Sequence, residues 1–133
     1  SVHGSAVPRP SESVYYGGVA GSFMITFENG FTVYFSGSSA ATMDMQLWAD
    51  MYKPDAAIVH QSAAHEPRDA AMIVKFMTTN NPNLRTVFPH YHRLQPQPGG
   101  LFRPADLRAE IERLGLNVEF IEPVPGQPYT LTK

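Results

Sequence analysis

The stretch SFMITFENGFTVYFSG, residues 22–37, constrains the fold more than any other. Two runs of alternating residues flank Glu28-Asn29-Gly30, and Asn-Gly supplies the positive φ values of a tight hairpin turn. Phe23, Ile25 and Phe27 share one face of the first run, with Ser22, Met24 and Thr26 on the other. Phe31, Val33 and Phe35 alternate with Thr32, Tyr34 and Ser36 on the second. Both faces carry apolar bulk, so both faces of the resulting sheet are expected to be covered.

The remainder alternates helix and strand signals. Thr42 is placed to cap a helix running to about Tyr52, with Asp44 in its first turn and Met43, Leu47 and Met51 recurring every four residues. KPD stops it, and AAIVH (56–60) reads as a buried strand. Pro67 suits the first turn of a second helix, striped by Ala70, Ala71, Ile73, Val74 and Met77. LRTVFPHYH (84–92) is a strand running out into histidines. Pro104 opens a third helix with Leu107, Ile111 and Leu114 inward and Gly115 closing it. NVEFIE, PYTLT and residues 1–6 read as further strands. Right-handed crossovers between successive strands put the helices on one face of a mixed sheet. AAIVH and TVF show little polar alternation, as strands covered on both faces do. The expected class is α/β, with a second sheet layer on the side away from the helices.

The 133 residues suit a single domain. The net charge of −2 argues against a non-specific nucleic-acid binder, which carries a basic surface. No cysteine is present, which excludes disulfides, thiolate metal sites and a cysteine nucleophile. No apolar run reaches the ~18 residues of a membrane span, and no signal peptide is visible. A soluble protein of cytoplasm or periplasm is the expectation. The opening SVHGSA lacks an initiator Met, which reads as a processed product or one piece of a larger protein.

The five histidines are His3, His60, His65, His90 and His92. His90 and His92 are two apart, so on an extended backbone their imidazoles point the same way and are able to share a metal. His60, at the end of a buried strand, reads as a hydrogen-bonded core histidine. His65 precedes a helix start, which favours a neutral imidazole suited to a ligand or a general base. The turn Gly37-Ser38-Ser39-Ala40-Ala41 lacks the second glycine of a hydrolase nucleophile elbow and is no phosphate loop. It is left open between a serine site, an anion cradle and a small-residue turn.

In order and spacing, SVHGSA, FTVYFSGSS, YKPDAAIVH, EPRDAAMIVKFM and TVFPHYH resemble the C-terminal half of the metallo-β-lactamase fold. The branch they resemble is that of metal-dependent hydrolases near ascorbate-6-phosphate lactonase. The resemblance covers residues 1 to about 95. It implies half of a four-layer αββα sandwich, a mixed sheet with helices on one face. It matches His3 to the histidine of the third metal motif. Ser38 falls where the aspartate of a G-D-T motif bridges two metals. A gapless match of VFPHYH puts Tyr91 at the last ligand position, so His90 or His92 has to substitute. His65 lies beside the loop bordering the family's active site, where it or Ser38 would orient substrate.

The defining H-x-H-x-D-H motif belongs to the N-terminal half and is absent here. The resemblance therefore implies a second polypeptide or segment that carries it. It further implies a divalent metal (zinc, with manganese or iron as alternatives), one ion rather than two because a neutral Ser38 hydroxyl is a poor ligand. Three readings follow. The chain is a subunit or fragment of a hydrolase acting on a lactone, ester or phosphoester through a metal-activated water; or a degenerate half serving as a structural or binding subunit; or an N-terminal-nucleophile hydrolase chain using Ser1.

Overall fold

The computed structural model describes residues 21–61, 66–92 and 103–133. The expected strand at residues 1–6 lies outside them. β1 (Phe23–Thr26) and β2 (Thr32–Phe35) form the hairpin, followed by α1 (Asp44–Tyr52), β3 (Ala56–His60), α2 (Pro67–Thr78), β4 (Thr86–His90), α3 (Pro104–Arg113) and β5 (Glu119–Phe120). The sheet order is β1-β2-β3-β4-β5. β1 and β2 are antiparallel, with Phe23 opposite Phe35, and the other pairings are parallel. This is the mixed α/β sheet expected.

The hairpin is wider than a two-residue turn. Phe27 N–H donates to Phe31 C=O at 2.9 Å and Gly30 N–H to Phe27 C=O at 2.8 Å. Only Gly30 takes a positive φ, 78°. Asn29 contributes instead through its side chain, which accepts the Phe31 N–H at 3.0 Å. This is the three-residue connection with glycine in the left-handed position.

All three helices pack on one face of the sheet. Tyr34, Ala57, Val59 and Val87 meet Met45 and Ala49 of α1, Ala70, Ala71, Ile73, Val74 and Met77 of α2, and Leu107 and Ile111 of α3. The α2 stripe is the one its periodicity predicts. Ala70 and Ala71, without exposed surface, let the helix approach the sheet closely. Pro67 opens it, with Asp69 in the first turn and Lys75 in the last complementing the helix dipole.

α1 differs from its sequence pattern. Met43, Leu47 and Met51 are exposed, and the buried residues are Met45 and Ala49. A spacing of four describes a stripe without saying which way it faces. Position 43 precedes the helix, and Thr42 contributes a backbone carbonyl to Met45 N–H rather than a side-chain cap.

The opposite sheet face carries Phe23, Ile25, Val33, Phe35, Ile58 and Phe88. Phe23 and Ile25 are exposed and the other four half-buried. PYTLT is not a strand: after β5 the chain runs on without ladder pairing, and the Tyr129 ring meets Phe88 edge-on at 5.8 Å. Lys133 Nζ donates to the Gly30 carbonyl at 2.9 Å.

Candidate functional site

The carboxyl ends of parallel strands are where α/β sheets hold ligands. Here β2, β3 and β4 deliver Phe35-Ser36-Gly37-Ser38, His60-Gln61 and His90-Tyr91-His92 to one edge. Parallel pairing sets His60 directly beside His90. Their side chains project to the face away from the helices, as do Ile58 and Phe88 two residues earlier.

Ser36 organises this edge. It is fully buried, and its Oγ accepts the His60 backbone N–H at 2.8 Å. The hydroxyl donates to the Gly37 carbonyl at 3.1 Å and lies 3.4 Å from His90 Nε2. The His90 ring stacks on Phe35 at 4.7 Å. Burial lowers the His90 pKa; its hydrogen bond to the Gly37 backbone opposes this, and the nearby His92 adds to it. A neutral imidazole results at neutral pH.

Gly37 has φ 55°, and a Cβ there would overlap the Gly21 carbonyl oxygen. Only glycine fits the turn. Ser38 is exposed and Ser39 is buried, its N–H donating to Ser36 C=O at 3.2 Å.

At the far side of the edge the backbone leaves the strand. Tyr91 has φ 61°, so β4 ends at His90 and the same-side argument for His90 and His92 fails. For a bulky residue this left-handed conformation costs about 1–2 kcal/mol. Tyr91 stacks on His60, centroids 4.9 Å apart and planes 23° from parallel, and His60 meets His90 edge-on at 5.1 Å. His60 is buried, as a core histidine is expected to be. His92 is half-buried and its Nδ1 has no hydrogen-bond partner.

Gln61 was not singled out by sequence reasoning. It is fully buried, donates its backbone N–H to His90 C=O at 3.0 Å and its amide to Arg103 C=O at 2.6 Å, and leaves Oε1 unpaired. It ties the ends of β3 and β4 to the start of α3. Ser36 was missed as well, although a polar pair at the end of an apolar strand (Val59-His60-Gln61) and a serine ending Val33-Tyr34-Phe35 were both visible signals. His3 and His65 lie outside the described residues.

Among the described residues no three His, Asp or Glu side chains come together to hold a metal ion. The donors present are few: a His90 ring engaged with Ser36 and Gly37, His92 Nδ1, and the Ser38 hydroxyl. Tyr91, at the ligand register, is 75% exposed. These residues by themselves do not fit a metal centre. They make a stacked, hydrogen-bonded aromatic edge. Among the described residues no helix is long and apolar enough to cross a membrane.

No family model matches the chain. Among curated proteins, it is 30% identical over 128 residues to a "UPF0173 metal-dependent hydrolase" of Rubrobacter xylanophilus, covering 94% of this chain and 50% of the relative. It is 32% identical over 114 residues to a protein of the same name from Roseiflexus, covering 83% and 43%. A further relative, from Thermodesulfovibrio yellowstonii, is 35% identical over 104 residues, covering 75% and 37%. The chain spans about half the length of the curated relatives it matches. Among solved structures, Igni18, described as a novel metallo hydrolase from Ignicoccus hospitalis, shares the fold with TM-score 0.65 and 22% identity, over 92% of this chain and 50% of that one.

Proposed function

We propose that this chain is the C-terminal half of a metallo-β-lactamase-type metal-dependent hydrolase, in the branch near ascorbate-6-phosphate lactonase, and acts on a lactone, ester or phosphoester. The observation that carries the reading is a coincidence of position. The sheet face away from the helices is apolar and incompletely covered, and His60 and His90 project from that same face at its carboxyl edge. A sandwich closed by a second sheet puts that edge at the seam between the layers, where a ligand is reached from both halves. The curated relatives, named metal-dependent hydrolases and about twice as long, support it.

The missing half, in the same polypeptide or a second one, is the partner and carries H-x-H-x-D-H. From this chain, His3 and either His90 or His92 are the assigned ligands of a single divalent cation, zinc before manganese or iron. Such an ion supplies an activated water and a Lewis acid. The described residues do not close a site around it alone. They hold the His60 and His90 imidazoles and the Ser36 and Ser38 hydroxyls at the seam; Ser38, together with His65, orients substrate.

A specific observation favours a second reading. Ser38 is neutral and exposed and Tyr91 points to solvent at the ligand register, as in a half that keeps the fold and serves as a structural or binding subunit.

Native mass spectrometry of the purified, assembled protein separates the two, with metal analysis and hydrolysis assays of His3→Ala and His90→Ala. A complex holding one divalent cation, lost with activity in either variant, supports the hydrolase. Activity and metal content unchanged in the double variant sink it in favour of the degenerate half.

A further inference from the structure

We infer that Tyr91 is a ring-binding platform, and that the substrate or ligand admitted at this edge carries a flat aromatic ring; the inference rests on the hydrolase reading for the chemistry it places beside that ring. Two independent observations converge. The first is conformational: Tyr91 is a bulky residue at φ 61°, a conformation in which glycine is the default. The second is how it is held: its inner face lies on His60 at 4.9 Å, and His60 in turn meets His90, which stacks on Phe35. The sequence of contacts Tyr91–His60–His90–Phe35 runs from solvent into the sheet and fixes the outermost ring without burying it. Tyr91 remains 75% exposed, so its outer face and phenol are open.

An aromatic side chain held rigid on one face and open on the other binds a second ring by offset stacking at little ordering cost. Its position matters as much as its geometry. Tyr91 directly follows His90 and precedes His92, so a ring lying on it is brought beside the imidazoles of the strand ends. The matching ligand is an ester or phosphoester whose acyl or leaving group is aryl. The phenol hydroxyl is available to hydrogen-bond a polar substituent on it.

The test is an NMR titration of the assembled protein, made with ring-labelled tyrosine, using phenyl phosphate as probe and methyl phosphate as the ringless control. The chain has six tyrosines, and the Tyr91 resonance is identified by its loss in Tyr91→Phe. Phenyl phosphate should shift the Tyr91 ring signal upfield and saturably, and methyl phosphate should not. Affinity for phenyl phosphate should fall by about fivefold or more in Tyr91→Ala and stay within about twofold in Tyr91→Phe. Tyr91→Gly, suited to the positive φ, should lose binding while folding at least as well, which separates recognition from structure. A Tyr91 signal unmoved at the highest phenyl phosphate concentration, or affinity in Tyr91→Ala and Tyr91→Gly equal to that of the parent protein, overturns the platform. A shift at Tyr91 in a protein that binds no metal supports the platform and sinks the hydrolase reading. Metal-dependent hydrolysis with Tyr91 unmoved does the reverse.

Discussion

Ser36 Oγ accepts the backbone N–H of His60 at 2.8 Å, joining the residue that follows β2 to the end of β3. Both residues are buried, so no water replaces the hydroxyl if it is removed. Ser36→Ala leaves that N–H without an acceptor and should lower stability by about 1–3 kcal/mol. Urea denaturation measures this; a midpoint equal to that of the parent protein would mean that Ser36 does not organise the edge.

Gly37→Ala should be more damaging. It meets both the left-handed φ of 55° and the Gly21 carbonyl. The expected loss is about 2 kcal/mol or more, read as a fall in Tm. Ala substituted without loss would show that the turn has room to relax.

Tyr34 makes stability sensitive to alkali. Burial pushes its pKa from 10.0 up to about 12, opposed by a hydrogen bond to the Ser22 side chain. Between these values the unfolded chain has released a proton that the folded chain keeps. The contribution is therefore complete below pH 10 and is lost as pH rises towards 12, and is of the order of 2–3 kcal/mol. Tyr34→Phe should flatten this part of the stability–pH profile. Tyr34→Phe removes a buried hydroxyl whose partner is the Ser22 side chain, so the variant should lose no more than about 1.5 kcal/mol at pH 7. Chemical denaturation of both proteins at pH 7 and 11 is the check.

α1 offers a contrast between two methionines. Met45 has no exposed surface and Met43 is 64% exposed. Met45→Ala should cost about 2–5 kcal/mol, whereas Met43→Lys, Leu47→Lys or Met51→Lys should each change stability by no more than about 0.5 kcal/mol. Thermal melts of the four variants distinguish the buried side of the helix from its apolar but exposed stripe.

Ser38→Asp tests the metal assignment by gain. Restoring a carboxylate at the turn should tighten zinc binding by the assembled protein by about tenfold or more. Calorimetry reads the affinity. Unchanged binding would show that position 38 does not face the ion.

Local physics made several parts of the fold legible in the sequence. Asn29-Gly30 marked the hairpin because glycine accepts the left-handed backbone of the turn and the asparagine side chain caps it. Ala70, Ile73, Val74 and Met77 fixed the buried side of α2 because their spacing leaves one apolar face. The class followed from the alternation of elements. The spacing of Met43, Leu47 and Met51 marked the helix but not its buried side, because α1 is apolar on two sides and only packing against α2 and the sheet selects Met45 and Ala49. His90 and His92 misled because their parallel side chains require an extended Tyr91. Tyr91 instead takes a positive φ and stacks on His60, which is 31 residues away in sequence. The polar ends of β2 and β3 marked Ser36 and Gln61 without giving their roles, because a serine or glutamine acquires its role from partners on other strands. The sequence by itself determined most of the elements, though not the end of the chain at PYTLT, since propensity, turn chemistry and periodicity act over a few residues. Tertiary structure alone decided which side chains meet at the carboxyl edge, because strand pairing joins residues that the chain keeps far apart.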